Sequence, residues 1–261
     1  MPLAIVKISS KVCTDSNGFR TDLFRQYANI TVLAKSDGWT VIWVVSGAIA
    51  GGEHELGIKV SHDDIVGQQG AAAVGQVPLM TAWMEAYRQH RIKVGQLLLI
   101  YPDLSQRGRS VRATVEWLWA HDVVILANEN DPVRPDEILE VETFGDNARL
   151  ALLLAQLAEA DLLVLLGAEP GVRKRDPRID PKAEVIPVIK NLIVEELAQI
   201  SPAPTGTGRG GMQANVAAAW EASERMKAII ADGREPRNLL RIFRGEDVGT
   251  VFPPRTSYRV V

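Results

Sequence analysis

Chemistry in this chain concentrates where apolar runs end in small or polar residues. The run LAIVKI reaches Lys7 and is followed by Ser9, Ser10 and Lys11, cations and hydroxyls suited to a phosphate or carboxylate. TVIWVVS leads into SGAIAGG, Ser46 to Gly52. Small residues there let backbone N–H groups approach a ligand as an anion nest, or simply make a tight strand-to-helix turn. DVVILAN leads into NENDP, Asn128 to Pro132. Its amides and carboxylates can hold an amino group and a carboxylate by directional hydrogen bonds; the alternative is an Asx-rich turn into proline. FGDN, Phe144 to Asn147, opens a helical stretch in which Asp146 reads as the N-cap. GTGRGGM, Gly206 to Met212, precedes another, an arrangement that holds phosphate at a helix N-terminus or serves as a mobile linker.

Other chemistries find no pattern. The histidines, His54, His62, His90 and His121, lack metal-ligand spacing, and neither a Ser-His-Asp nor a Cys-His arrangement can be read. The tryptophans fall mostly within apolar segments and read as core. A single cysteine, Cys13, cannot form an internal disulfide, which fits a reducing cytoplasm. Lys and Arg number 29 against 32 Asp and Glu, a net charge of −3, so neither nucleic acid nor a membrane surface is an expected partner. The apolar run before Lys7 is too short for a signal-peptide core. Leu150 to Leu166 is interrupted by Gln156, Glu159 and Asp161 and is no membrane span.

The elements that must position these residues alternate. Strands are expected at Leu3–Ile8, Thr40–Ser46, Val94–Tyr101, Asp122–Asn128 and Asp161–Gly167, with helical spacing at Asp22–Lys35, Ala71–His90, Val111–Ala120 and Asn147–Ala160. The strand runs are continuously apolar, as when helices cover both faces of a sheet. The class is α/β, with helices on both sides of a mainly parallel sheet. Glu169–Pro187 is rich in charge and proline and reads as a surface hairpin or loop. Ser201–Gln213 is a second break, followed by an expected helix at Ala214–Ala231 and a last strand at Leu239–Phe243. The 261 residues are read as one domain with an N-terminal lobe near 1–165 and a C-terminal lobe near 166–261; one continuous sheet fits equally well.

In order along the chain, VVSGAIAGG, QQGAAAVGQVPLM, VGQLLLIYPDL, NEND, FGDN, AEADLLVLLG, DPR, GRGGM and GEDVGTVF resemble the amino acid kinase family and, within it, the glutamate 5-kinases. The resemblance covers nearly the whole chain. It implies a three-layer αβα sandwich around a mainly parallel eight-stranded sheet, with the amino acid in the N-terminal part and nucleotide in the C-terminal part. It also implies transfer of the terminal phosphoryl of ATP, with Mg²⁺, to a side-chain carboxylate, chemistry that is mostly positioning and charge neutralisation. Ser46, Gly47, Asn128, Asp131, Asp146 and Asn147 fall on glutamate-binding positions, Asp131 toward the α-ammonium and the Ser46–Gly47 backbone toward a carboxylate. Lys7 falls on the first catalytic lysine. Ser9, Gly167, Arg209, Gly210, Gly211, Met212 and Asn215, with Lys7, fall along the nucleotide.

The same resemblance marks departures. The family's phosphate-contacting glycine is Ser9, its lysine-orienting aspartate is Ala148, and its Thr-Asp pair is Gly167-Ala168. Its second catalytic lysine is Asn215. Arg209 is the expected substitute cation beside Lys7, with Lys11, Arg173 or Lys174 as helpers. Arg112 and Thr114 stand where the family has Asn and Arg, which implies a pocket for a modified glutamate. The expected function is an ATP-dependent carboxylate kinase with altered machinery. The alternatives are a pseudokinase that binds an acidic amino acid or a partner enzyme, and a repurposed member of a specialised pathway. A homo-oligomer, or pairing with an active homologue, is expected. The sequence ends shortly after GTVF, so the RNA-modification-like domain of many members is expected to be missing.

Overall fold

A computed structural model describes residues 1–61, 63–133, 147–177, 179–191 and 211–255. The apolar runs form strands β1 (Leu3–Ile8), β4 (Thr40–Val44), β5 (Lys93–Leu99), β6 (Val123–Glu129), β7 (Leu162–Gly167), β8 (Lys227–Asp232) and β9 (Thr250–Phe252). Among the described residues they make a sheet of seven strands, where eight were expected, in the order β5-β6-β4-β1-β7-β8-β9. All pairings are parallel except β8 with β9. A small antiparallel hairpin, β2 (Thr14–Asp15) and β3 (Gly18–Phe19), stands apart from it.

Every residue of β1 and β7 is buried, because successive side chains point to opposite faces and both faces are covered. Val6, Ile8, Trp43, Val164 and Leu166 pack beneath helices α2 (Thr21–Ser36), α4 (Ile65–Arg88) and α9 (Arg237–Phe243). Ile5, Val44, Leu163 and Leu165 pack against α7 (Asn147–Leu157) and α8 (Met212–Ala222). Three layers result, an αβα sandwich. Trp43 and Trp83 are fully buried, as expected of core tryptophans, whereas Trp117 is largely exposed.

Since β1 lies between β4 and β7, the chain runs to one side of it first and to the other afterwards. Ligands of open α/β sheets bind at the carboxyl ends of strands around such a switch. Lys7 pairs with Val44 on one side and Leu165 on the other, so it stands at the middle of that edge.

The turn after β4 is made by Gly47, whose φ of 115° suits glycine. Helix α3 (Ala48–Leu56) starts there, so the rest of AIAGG is helix rather than loop. Its small residues serve packing: a Cβ on Gly75 of α4 would lie 1.9 Å from the Ala48 carbonyl oxygen, so only glycine lets α3 and α4 approach this closely.

The C-terminal third differs from the sequence reading. The helix expected over 214–231 ends at Ala222, and KAIIAD becomes the buried strand β8. Leu239–Phe243, expected as a strand, is helical within α9: Leu239, Ile242 and Phe243 recur at i, i+3 and i+4 and all face the core. The last strand is instead TVF in GEDVGTVF. Residues 169–187 make the expected hairpin-like excursion, with Lys174 N–H donating to Glu184 O and Ile186 N–H to Val172 O. Among the described residues no helix is long and apolar enough to cross a membrane.

Candidate functional site

Ser46, Asn128 and Asn147 reach one point from three elements. Val45 N–H bonds Ala127 O, which aligns the ends of β4 and β6, and α7 begins at Asn147. The Asn147 amide donates to Ser46 Oγ at 2.8 Å and to Asn128 Oδ1 at 3.0 Å. Asn128 Oδ1 also accepts from Glu129 N–H, and Asn128 Nδ2 donates to Gln76 Oε1 at 2.9 Å. Gln76, on α4 beside the close-packed Gly75, is the residue that sequence reasoning missed. Its signal was a polar side chain among small ones in QQGAAAVGQ.

Among the described residues the network is closed except at two atoms: Asn147 Oδ1 and Gln76 Nε2 are buried with no hydrogen-bond partner. One is an acceptor and the other a donor, and buried polar atoms left in this state are costly unless a ligand completes them. An α-amino acid carries both complements, an ammonium and a carboxylate. Asp131 starts a 3-10 turn, Asp131–Val133, directly after β6, at the same edge.

Across β1 the arrangement is sparer. Lys7 is 4% exposed, and its Nζ donates to Asn215 Oδ1 at 3.0 Å. Among the described residues no carboxylate pairs with this buried lysine, which leaves its charge to be met by an anion. Asn215 lies in the first turn of α8, capped by Gly211 in extended conformation, with Met212 as the first helical residue. Gly167 ends β7, where a Cβ would stand 3.9 Å from Asn215 Nδ2. The Ser9 N–H is taken by Leu166 O at 3.0 Å, and its Oγ is buried with no hydrogen-bond partner among the described residues. Ala148 is fully buried in the apolar layer.

Beneath both groups lies Cys13. Burial pushes its thiol up to about 12, against the Ser46 N–H and the Lys7 charge that pull it down. It is a core thiol rather than a nucleophile.

Several expected contributors lie elsewhere. Arg112 on helix α6 (Gly108–Ala120) is paired with Glu116 and Glu159. Glu159 immediately precedes β7, at the amino ends of the strands, so Arg112 belongs to the opposite edge and does not shape the pocket. Thr114 is exposed and bonds Ser110 O within the same helix. Arg173 is held by Glu169 and Ala183 O, and Lys174 by Glu184, all within the 169–187 excursion. Of the proposed helpers only Lys11, exposed in α1 (Ser10–Cys13), makes no ion pair among the described residues. Asp146, Arg209 and Gly210 lie outside the described residues.

Together these features define an α/β protein with a polar side-chain network and a buried lysine at the strand carboxyl ends. The chain belongs to the amino acid kinase family, whose model matches residues 2–232. It is 36% identical over 257 residues to the glutamate 5-kinase of Syntrophus aciditrophicus, covering 97% of this chain and 66% of that protein. With the glutamate 5-kinase of Geobacter sulfurreducens it shares 39% over 254 residues, 96% of this chain and 67% of that protein. The chain thus spans about two thirds of the length of these relatives. A UMP kinase from Bacillus anthracis has the same fold, with a TM-score of 0.64 at 17% identity over 98% of this chain and 97% of that one. An isopentenyl phosphate kinase superposes with a TM-score of 0.62 at 15% identity, over 96% and 99% of the two chains.

Proposed function

We propose that this protein transfers the terminal phosphoryl of ATP to the side-chain carboxylate of glutamate or a glutamate-like acid, with fewer cations than its relatives use. The observation that carries this reading is Lys7, a buried cation bonded to a neutral amide and placed between a ligand-ready polar network and the N-terminus of α8. The amino acid would be read by Ser46, Gly47, Asn128 and Asn147, with Gln76 Nε2 donating to a carboxylate and Asn147 Oδ1 accepting from the ammonium. A carboxylate oxygen attacks the γ-phosphorus, the bond to the β-phosphate oxygen breaks, and ADP leaves with that electron pair. The product is an acyl phosphate, and no proton needs to move.

Lys7 offsets charge on the phosphoryl in flight. The backbone at Gly211 and Met212, at the start of α8, suits the nucleotide phosphates. Magnesium would supply further neutralisation. A second reading, a binder of acidic amino acids that no longer transfers phosphoryl, is favoured by Asn215 and Ala148. Losing one preorganised group costs about 10²–10³ in rate, and losses within one unit do not multiply.

Hydroxylamine trapping separates these readings. Hydroxamate formed from ATP and L-glutamate by the native protein supports the kinase. Hydroxamate only from Asn215→Lys supports the binder with a retained pocket. Silence from both, with no glutamate binding by calorimetry, overturns the glutamate assignment.

A further inference from the structure

Helix α4 turns an uncharged face to solvent. From Ile65 to Met84 its sequence holds no charged residue, although Val66, Gly70, Ala73, Val77, Thr81 and Met84 are all exposed. They recur at steps of three and four and so form one stripe, about 27 Å long at 1.5 Å per residue. Exposed helix faces ordinarily carry charge, as α6 does with Arg109 and Glu116. Four large apolar side chains, Val66, Val74, Val77 and Met84, are exposed on α4, and no other described element exposes more than one. A contiguous apolar face of this length marks an interaction surface.

The balance of charge around the stripe identifies what covers it. Beside Val74 and Val77 a groove of about 690 Å³ runs between α4, α2 and the β2–β3 hairpin, and its rim carries Arg25 together with Glu55 and Glu85. Both signs are present, so the groove selects neither an anion nor a cation. A surface that meets its own copy across a two-fold axis must hold a partner for each of its own groups, and a rim of mixed sign meets that condition.

The ends of the stripe repeat the pattern. Asp63 and Asp64 are exposed at its start. Arg88 and Arg91 are exposed at its end, where the one carboxylate, Glu85, is bonded to Arg88 at 2.8 Å. Two copies of α4 laid antiparallel therefore set the acidic end of each against the basic end of the other. Val77, 69% exposed, stands midway between these ends and meets its own copy at the axis. Gly70 and Ala73 add little bulk, which lets two helices pack closely along the stripe.

We propose that a second copy of this chain covers the α4 face, packed antiparallel about a two-fold axis near Val77. The inference rests on this surface alone and holds whether or not the protein transfers phosphoryl. Sedimentation equilibrium of the native chain should show a reversible dimer. Val77→Asp, which brings two carboxylates together at the axis, should weaken it by about a hundredfold. Arg88→Glu should weaken it by about tenfold, and Asp63→Arg on the same chain should recover most of that loss. Far-ultraviolet dichroism of these variants should match the native protein, because each altered side chain is exposed. Cross-linking gives a measurement that does not depend on a disruptive change. Cys13 is buried, so Val77→Cys supplies an accessible thiol, and mild oxidation should join two such chains. Trp117→Cys, at an exposed position of α6, should stay unlinked under the same conditions. A native monomer, or a dimer indifferent to Val77→Asp, overturns the proposal. A dimer that Val77→Cys fails to link, or a loss in Arg88→Glu that Asp63→Arg fails to recover, overturns the antiparallel arrangement. A monomer that binds uncharged phosphatidylcholine vesicles, and loses them in Val77→Asp, assigns the face to a lipid surface and overturns the proposal as well.

Discussion

The two sides of β1 are built on opposite plans. Toward β4 and β6, side chains from four elements satisfy one another through Asn128 and Asn147, and one acceptor and one donor are left over. Toward β7 and β8, a lysine meets an asparagine, a serine hydroxyl has no partner among the described residues, and Gly167 adds no side chain. The first side is preorganised for a ligand of fixed shape. The second offers charge and backbone, which suits a phosphate chain but supplies little that is specific to a transition state. A pocket can therefore keep its recognition while its transfer chemistry weakens, because separate elements carry the two tasks.

Removing the cation that joins the sides is the severest test of that division. Lys7→Met should lower hydroxamate formation by about 10³ while glutamate affinity, measured by calorimetry, stays within about twofold. A parallel loss of glutamate binding would mean that Lys7 reads the amino acid and that the division is false. Thermal melts keep the result interpretable, since methionine fills nearly the same volume without a charge to bury.

Cys13 underlies both sides, and its effect should be on stability alone. Burial moves its thiol from the ordinary 9.0 up to about 12. The unfolded chain then releases a proton that the folded chain keeps, so stability is complete below pH 9 and falls as pH rises toward 12. The full loss is roughly 4 kcal/mol. Tyr27 and Tyr87, their hydroxyls also pushed up by burial, add to the fall above about pH 10. Urea midpoints between pH 8 and 10 should therefore decline in the native protein and stay nearly level in Cys13→Ala. Equal slopes would place the thiol in contact with solvent.

A smaller effect is expected from Asn128→Ala, which strips Asn147 and Gln76 of a shared partner. About 2 kcal/mol of binding, or roughly thirtyfold in glutamate affinity, should be lost, with nucleotide affinity unchanged. If nucleotide binding falls as well, the two sides are coupled through β1 and the comparison needs revising.

How much of this was legible followed from the kind of signal each residue carries. Continuous apolar runs gave β1, β4, β6 and β7 to within two residues, because burial on both faces leaves no other pattern. KAIIAD reads in sequence as a continuation of the preceding alanine-rich helix, since a short apolar run has no periodicity of its own. LLRIF reads as a strand in sequence because its apolar spacing fits either state over five residues. Ser46, Asn128 and Asn147 were readable from the loops after strands. Gln76 was hidden in a helix, where only the crossing of α3 and α4 brings it to the site. Nothing in the sequence could say that Lys7 and Asn215, distant along the chain, share a hydrogen bond.

Arg112 shows the same limit from the other direction, and its substitution should have the least effect. Its position in the chain pointed to the pocket, but α6 turns the side chain toward Glu116 and Glu159 at the amino ends of the strands. Both carboxylates are exposed, and exposed pairs of this kind contribute little. The Glu159 carboxyl is held below its ordinary range by hydrogen bonding to Arg112, so the pair is formed near neutral pH without affecting the other edge. Arg112→Asn should leave glutamate affinity within about twofold, since among the described residues no hydrogen bond or ion pair links that edge to the network. A larger change would require the α6 face to communicate with the carboxyl ends through β6, whose Asn128 is the network's central residue, and would make substrate choice a property of the whole sheet rather than of one end of it.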